Sequence, residues 1–264
     1  MKRMIWSVVT LAAWATGCTT LGPMPTTTGI SAVPSERPGV EAQAGIVPGY
    51  FLSAATREPS HKGEPTGQLL GLVEPDHWLG TRGLILGARH WGNKNDGAVE
   101  PFLGLRRRLD DDLALALVGH GTTMHGAEHG ASYRATRVGG ELALDARVFA
   151  PTSWLEIHGQ AAVSAIYLDA RGTYCADAGG LGVDCNADGR DRVIDGTIHG
   201  VFAGATAALA FDFGRRPAGT FHSVRLAVLG AAGVMPQVRD GIETEGVHYT
   251  SFGLTLAIGF GSAQ

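Results

Sequence analysis

The chain has 264 residues, a formal net charge of −4 and a hydrophobic content of 44%. This balance gives no electrostatic basis for binding nucleic acid, and no segment after the N-terminus has the roughly 18 consecutive apolar residues of a transmembrane helix. Without its N-terminal region, the chain is long enough for one domain, especially an all-β domain.

Residues 1–17 have the pattern of an export signal. The apolar stretch 4–15 follows two basic residues and is shorter than the roughly 20 residues that a transmembrane helix needs. It ends in ATGC at residues 15–18, which resembles the lipobox of bacterial lipoproteins. The resemblance implies cleavage before Cys18 and acylation of that residue. Because Thr19 follows rather than Asp, it also implies delivery to the outer membrane; ordinary secretory cleavage with an incidental cysteine is the alternative.

Residues 18–38 are rich in Thr, Pro, Ser and Gly and contain little apolar surface. Such a segment cannot bury enough surface to offset the entropy lost on ordering. We therefore predict a flexible tether between the lipid and a folded domain at residues 39–264.

Large apolar residues alternate with small or polar ones throughout this domain, most clearly at its end. One face there carries Phe252, Leu254, Leu256, Ile258 and Phe260, and the other carries Ser251, Gly253, Thr255, Ala257 and Gly259. In a membrane barrel the large residues face lipid and the small ones line the lumen. This last segment also resembles the C-terminal strand of outer-membrane barrels, which implies recognition by the outer-membrane insertion machinery.

The alternation and the turn signals predict a closed antiparallel transmembrane β-barrel of about ten strands, with eight as the alternative. The predicted strands are 40–54, 67–73, 79–91, 98–108, 113–121, 131–149, 154–169, 196–213, 220–235 and 246–260. Short and long connections alternate, as periplasmic turns and external loops do in such barrels. Both ends of the domain then lie on the periplasmic side, where the lipidated N-terminus is expected.

The predicted inner face carries charges of both signs. The acidic residues are Glu41, Glu141, Asp145, Glu156 and Asp212, and the basic ones are Arg89, Arg106, Arg108, Arg147 and Arg225. Because an unpaired buried charge is very costly, we expect these groups to pair across a narrow lumen and close it. The network is centred on Arg106, Glu141, Asp145, Arg147, Glu156 and Arg225, and it argues against general porin activity.

Residues 184–195 fit the spacing D-x-N-x-D-G with a carboxylate at position twelve, and resemble the calcium loops of EF-hands and dockerins. The resemblance implies oxygen ligands from Asp184, Asn186, Asp188, Arg190 and Asp195. The ion would order an external loop. In an oxidising compartment, Cys175 and Cys185 are expected to form a disulfide beside it. A polar surface turn without metal is the alternative.

Two further groups of residues could form sites. His120, His125 and His129 lie close in sequence, but their spacing fits no specific metal motif, so a solvated loop at 122–130 is favoured. Glu156, His158 and Ser164 share a predicted inner face, but no nucleophile signature surrounds them. We therefore predict a protein that is not an enzyme.

The leading hypothesis is a non-enzymatic outer-membrane lipoprotein with a structural or surface-interaction role, whose partners are membrane lipid and the insertion machinery. The first alternative is a lipid-anchored soluble β-barrel or sandwich that binds a small apolar ligand. The second is an outer-membrane lipid-modifying enzyme. The direction in which the large apolar residues point separates the first two hypotheses.

Overall fold

The computed structural model describes residues 21–34, 39–47, 49–52, 66–75, 83–92, 97–128, 131–175, 193–213, 221–235 and 247–261. Within these ranges, no helix is both long and apolar enough to cross a membrane.

The described chain forms twelve β-strands. They are β1 (Leu21–Pro25), β2 (Gly39–Val47), β3 (Gly49–Leu52), β4 (Thr66–Glu74), β5 (Leu84–Gly92), β6 (Gly97–Arg108), β7 (Leu113–Glu128), β8 (Ala131–Thr152), β9 (Leu155–Cys175), β10 (Val193–Phe213), β11 (Phe221–Met235) and β12 (Val247–Gly261). β1 and β3 pair with each other, and the other ten strands form one closed antiparallel barrel. The seam closes between β12 and β2, where Leu256 lies opposite Ala44. The prediction of an all-β, closed, ten-stranded barrel is confirmed.

The side chains alternate across the barrel wall in the predicted direction. On β12, Phe252 is 73% exposed, whereas Thr255 and Ala257 are buried. On β7, Leu117 is exposed while Ala116 and Val118 are buried. Small and polar residues therefore fill the interior, and the large aliphatic residues cover the outside.

Strands β7 to β10 are longer than predicted. β7 continues to Glu128 and pairs with β8 throughout, so the prediction of a loop at 122–130 is wrong up to that residue. The outer half of β7 pairs with β8 alone, because the pairing of β6 with β7 ends at Phe102 and His120. The polar composition of that half, which suggested a loop, reflects a strand that projects beyond the rest of the wall.

The N-terminal segment lies inside the barrel. Thr26, Thr28, Ile30 and Ala32 are each no more than 3% exposed. Over these residues the structure differs from the predicted flexible tether. The physical reason is that the lumen is itself polar, so a segment with few apolar side chains can be buried when wall residues satisfy its backbone groups.

Candidate functional site: the sealed lumen

The two ends of the barrel differ in the length of the connections between their strands, and they are called the turn end and the loop end. The turn end carries the short connections 109–112 and 153–154, and β2 begins there, since Gly39 lies opposite Glu74 and Gly261. The loop end is the opposite one, where residues 53–65, 176–192 and 236–246 connect the strands.

Residues 26–33, called the plug segment below, cross the lumen between these ends. Pro25, just before the plug segment, lies opposite Gly49, two residues beyond the end of β2 at the loop end. Val33 lies near Asp112 and Arg147 at the turn end, beside a small cavity. The chain therefore passes through the lumen from the loop end to the turn end and returns as β2.

Wall side chains satisfy the carbonyl groups of the plug segment. In the half toward the loop end, Arg89 Nη1 donates to Thr27 O at 2.6 Å and Gln68 Nε2 donates to Thr28 O at 2.8 Å. Arg137 Nη2 donates to Pro25 O at 2.7 Å and Gln43 Nε2 to Gly29 O at 3.2 Å. Toward the turn end, Arg106 Nη1 donates to Ser31 O at 3.3 Å. These donors come from β2, β4, β5, β6 and β8, so the segment is held from several sides.

Glu141 binds the plug segment as an acceptor. Its Oε2 atom accepts from the backbone nitrogen of Thr28 at 2.5 Å and from Thr28 Oγ1 at 2.8 Å. The residue is 2% exposed. A carboxylate on β8 thus fixes one residue of the plug through both its backbone and its side chain.

Glu100 is the centre of a charge cluster in the half of the lumen toward the loop end. Arg89 Nε donates to its Oε2 at 2.5 Å, and Arg137 Nε lies 3.3 Å from its Oε1. His120 Nδ1 lies 2.8 Å from the same Oε1. The guanidinium of Arg137 also stacks over the buried Trp91 ring, 5.3 Å from its centroid. All these charged side chains are fully enclosed.

Asp145 is the centre of a second cluster, nearer the turn end. It accepts from Arg225 Nη2 at 2.5 Å, contacts His158 Nδ1 at 2.6 Å and accepts from Gln160 at 2.7 Å. Arg225 also contacts Asp212 at 3.4 Å and donates to Ser31 Oγ of the plug segment.

A third group surrounds Arg106. Its Nη2 atom lies 2.7 Å from Glu74, and its Nη1 atom lies 3.4 Å from Glu41. Since the same guanidinium binds Ser31 of the plug segment, the wall charges pair with one another and with the plug at the same time.

The predicted network residues lie in different places. Arg106, Glu141, Asp145 and Arg225 are buried in the lumen. Arg147 and Glu156 lie at the turn end, 3.4 Å apart, and Arg147 also pairs with Asp112 at 2.5 Å. Arg108, which was predicted to face inward, is exposed at the rim of the turn end, where it lines the small cavity beside Val33.

Sequence reasoning missed Glu100, Arg137 and the plug segment. The first two have the same strand parity as inward residues that were recognised, Arg106 on β6 and Glu141 on β8, so that signal was present. Trp91 and Phe102 are also buried in the lumen.

Several predicted site residues lie outside the described part of the chain, namely Cys18, Asp184, Cys185, Asn186, Asp188, Arg190 and His129. Cys175 and Asp195 are at described backbone positions on β9 and β10. His120 and His125 lie on one strand, and their positions differ by an odd number. Their side chains therefore point to opposite faces, and His120 is buried whereas His125 is exposed. The ranges that the structure describes contain no group of three His, Cys, Asp or Glu residues arranged to hold a metal.

Ser164 and His158 lie apart within the lumen. Ser164 Oγ contacts the Gly204 carbonyl at 3.5 Å, whereas both ring nitrogens of His158 face carboxylates. Six residues along a strand correspond to about 20 Å. A serine activated by this histidine is therefore not formed in the described structure.

Little space is left between the plug segment and the wall. A cavity of about 20 Å³ lies between Thr27, Ile30, Gln160 and Thr206, and one of about 10 Å³ lies beside Val33. Volumes of this size hold about one water molecule each. Neither of these two cavities has room for an organic ligand. A third space, of about 510 Å³, is open and is lined mainly by exposed residues of the outer wall, such as Leu69, His90 and Val99.

The outer wall carries an apolar belt that ends sharply toward the loop end. Its members on three adjacent strands are Val138, Leu142, Leu144, Val148, Val163, Tyr167, Val201 and Leu209, each at least 42% exposed. Toward the loop end, the next outward residues are polar: Thr136 and Arg134 on β8, Asp169 and Arg171 on β9, and His199 on β10. From Val138 to Val148 the strand rises roughly 33 Å, or roughly 25 Å along the axis of a barrel with the usual strand tilt.

No family model matches the chain, and no curated protein matches it. Among solved structures, the chain is similar to the siderophore receptor PiuA from Acinetobacter baumannii, with a TM-score of 0.25 and 10% sequence identity over 85% of this chain and 47% of that one. The chain spans about half the length of that receptor.

Proposed function

We propose that the protein is a non-enzymatic β-barrel lipoprotein of the bacterial outer membrane, with a structural or surface-interaction role and a closed lumen. The observation that carries this proposal is the combination of an apolar belt outside with a charged, plugged interior. The belt has about the height of the lipid-facing band of outer-membrane barrels, near 25 Å.

The direction of the side chains favours a membrane protein over a soluble ligand-binding barrel. A soluble barrel buries its leucines and phenylalanines, whereas here Leu69, Val99 and Phe252 are more than 60% exposed. A continuous apolar exterior of this kind in water would be an aggregation hazard. In lipid the same residues are solvated favourably.

The contents of the lumen argue against transport of solutes. The plug segment is bonded to the wall through Arg89, Arg106, Arg137 and Glu141, and the two cavities described beside it have the size of single waters. The separation of Ser164 from His158 removes the one arrangement that suggested hydrolysis. The projecting ends of β7 to β10 support an interaction role, because they carry polar residues such as Arg134 and Arg171 beyond the apolar belt.

The finer assignments of the proposal come from sequence. They are acylation at Cys18, a disulfide between Cys175 and Cys185, and a calcium-ordered external loop with ligands from Asp184, Asn186, Asp188, Arg190 and Asp195. Membrane lipid and the insertion machinery are the proposed partners.

The test is to express the protein with its own signal and to isolate outer membranes. We expect a band whose gel mobility changes on boiling and that resists carbonate and urea extraction, including in the Cys18→Ala variant, because the barrel alone holds the protein in the membrane. Extraction of Cys18→Ala without a mobility shift would show a soluble lipid-anchored domain.

A further inference from the structure

The direction in which the N-terminal segment crosses the lumen determines where the N-terminus emerges. Val33 lies at the turn end, and the chain then enters β2 at Gly39. Pro25 lies at the loop end, and β1 continues from there toward Leu21, which pairs with Leu52. Leu21 and the start of β2 are therefore at opposite ends of the barrel.

We propose that the acylated N-terminus leaves the barrel at its loop end and inserts its lipid into the outer leaflet, so that the protein is anchored from the cell surface. This inference rests on the function proposed above, and it replaces the expected periplasmic anchor. Cys18 is three residues before Leu21, and three residues span at most about 11 Å. That distance is much shorter than the roughly 25 Å apolar band of an outer-membrane barrel, so a lipid on Cys18 cannot reach the inner leaflet from the loop end.

The orientation of the barrel follows from its two rims. Outer-membrane barrels have short turns on the periplasmic side and longer loops outside. The connections at the turn end are 75–83, 109–112, 153–154 and 214–220, and none exceeds nine residues. Two connections at the loop end are short, 93–96 and 129–130, but the other three, 53–65, 176–192 and 236–246, have eleven residues or more. Above the belt at the loop end, the outward residues Arg134 and Thr136 are polar, as expected for strands that continue into water.

The segment is also held firmly enough to define this topology. The wall hydrogen bonds described above bind it from the level of Pro25 to that of Ser31. Because the barrel is closed by the pairing of β12 with β2, the segment cannot leave the lumen sideways without opening the wall. The N-terminus therefore stays at the loop end as long as the barrel is intact.

The experiment places one epitope tag at each end of the barrel in the full-length protein. In one variant the tag follows Thr20, which keeps Cys18 and Thr19 in place. In the matched control it is inserted between Asp110 and Asp111 in a turn at the turn end. Antibody binding is measured on intact cells and after permeabilisation of the outer membrane, and each variant is checked for the heat-modifiable band.

We expect the N-terminal tag to be labelled on intact cells and the turn tag only after permeabilisation. If both tags need permeabilisation, or both are labelled on intact cells, the two lie on one side and the threaded topology is wrong. If only the turn tag is labelled on intact cells, the lipid faces the periplasm and the proposed surface anchor is wrong.

A second measurement covers the case in which a tag prevents folding. Single cysteines, Thr20→Cys or Asp111→Cys in a Cys175→Ser, Cys185→Ser background, are exposed to a membrane-impermeant maleimide, with the same expected pattern. The failure of the proposed function is distinguishable from these outcomes, because it appears in the untagged protein as a loss of heat modifiability and of resistance to carbonate.

Discussion

Two aspartates pair with arginine at the same distance but in different surroundings. Asp145 lies 2.5 Å from Arg225 with its side chain fully buried, and Asp112 lies 2.5 Å from Arg147 with its side chain 63% exposed. Removing one partner of a buried pair leaves a desolvated charge, which typically costs about 3–5 kcal/mol, whereas an exposed pair contributes at most about 1 kcal/mol. We therefore expect Asp145→Ala to lower the free energy of unfolding by several kcal/mol more than Asp112→Ala.

The measurement is urea unfolding in detergent micelles or lipid vesicles, followed by tryptophan fluorescence. Equal effects of the two substitutions would mean that water reaches Asp145 and that the lumen is not sealed at the turn end.

Glu141 tests the attachment of the plug segment. Glu141→Ala leaves the backbone N–H of Thr28 without its acceptor in a buried place, and an unsatisfied buried group costs about 1–3 kcal/mol. Glu141→Gln keeps an acceptor oxygen at this position, so we expect a smaller loss. The exposed residue Arg171 provides the control, since Arg171→Ala should change the free energy of unfolding by less than about 0.5 kcal/mol. A Glu141→Ala variant as stable as this control would contradict the described contact.

At the scale of single residues, the direction of each side chain was predictable and its partner was not. Alternation placed Arg106, Asp145 and Arg225 inside the lumen, because the side-chain period of a strand is two. Which arginine meets which carboxylate depends on the register between strands far apart in sequence. Glu141 binds Thr28, 113 residues away, and no local pattern could have predicted that pair.

The projecting strands are tested by two substitutions on the outer face of β8. Leu142 lies within the apolar belt, and Thr136 lies on the same face beyond the boundary. An arginine on the lipid-facing side of a barrel lowers the stability of the folded protein by about 2–4 kcal/mol near the bilayer midplane, but by at most about 1 kcal/mol near the interfaces. We expect Leu142→Arg to reduce folding into vesicles strongly and Thr136→Arg to leave it unchanged. Similar folding yields for both variants would mean that the belt does not face lipid.

Closure of the barrel depends on a close approach between β2 and β12. A Cβ atom on Gly45 would overlap with the backbone of Leu254 and Thr255, whereas Gly71 on β4 has open space. We expect Gly45→Ala to lower the free energy of unfolding by about 1–3 kcal/mol, the usual cost of overpacking, and Gly71→Ala to change it by less than about 0.5 kcal/mol. Urea unfolding of the two variants compares these values, and a neutral Gly45→Ala would show a looser seam.

Strand order and number were predictable from sequence, whereas strand length was less so. In the proposed membrane barrel, the alternation of large apolar and small residues continues only while one face of the strand faces lipid, as from Val138 to Val148. Beyond Val138 both faces of β8 carry polar residues, and the pattern disappears although the strand continues to Ala131. The loss of the lipid-facing requirement explains why the projecting half of β7 was predicted as a loop.

At the scale of the whole molecule, the plug segment could not be predicted by composition. Residues 26–33 have the composition of a solvated linker. This composition suits the polar lumen, because the backbone groups and hydroxyls of the segment form hydrogen bonds with wall side chains. The burial of the segment depends on a lumen that exists only after ten strands have closed around it.

The sealed lumen itself predicts the electrical behaviour of the protein. In planar bilayers we expect the native barrel to conduct almost no current, because the plug segment is bonded to the wall from several sides and the two cavities described beside it are water-sized. A variant that lacks residues 21–33 has neither the plug segment nor the carbonyl groups that the wall arginines bind, and the charged wall around Arg89 and Glu141 then faces water. We expect this variant to conduct ions while it keeps the heat-modifiable band. Glu141→Ala is the milder variant, for which brief openings are expected. A folded deletion variant without conductance would show that the wall charges close the lumen by themselves, and that the plug segment serves only to position the N-terminus.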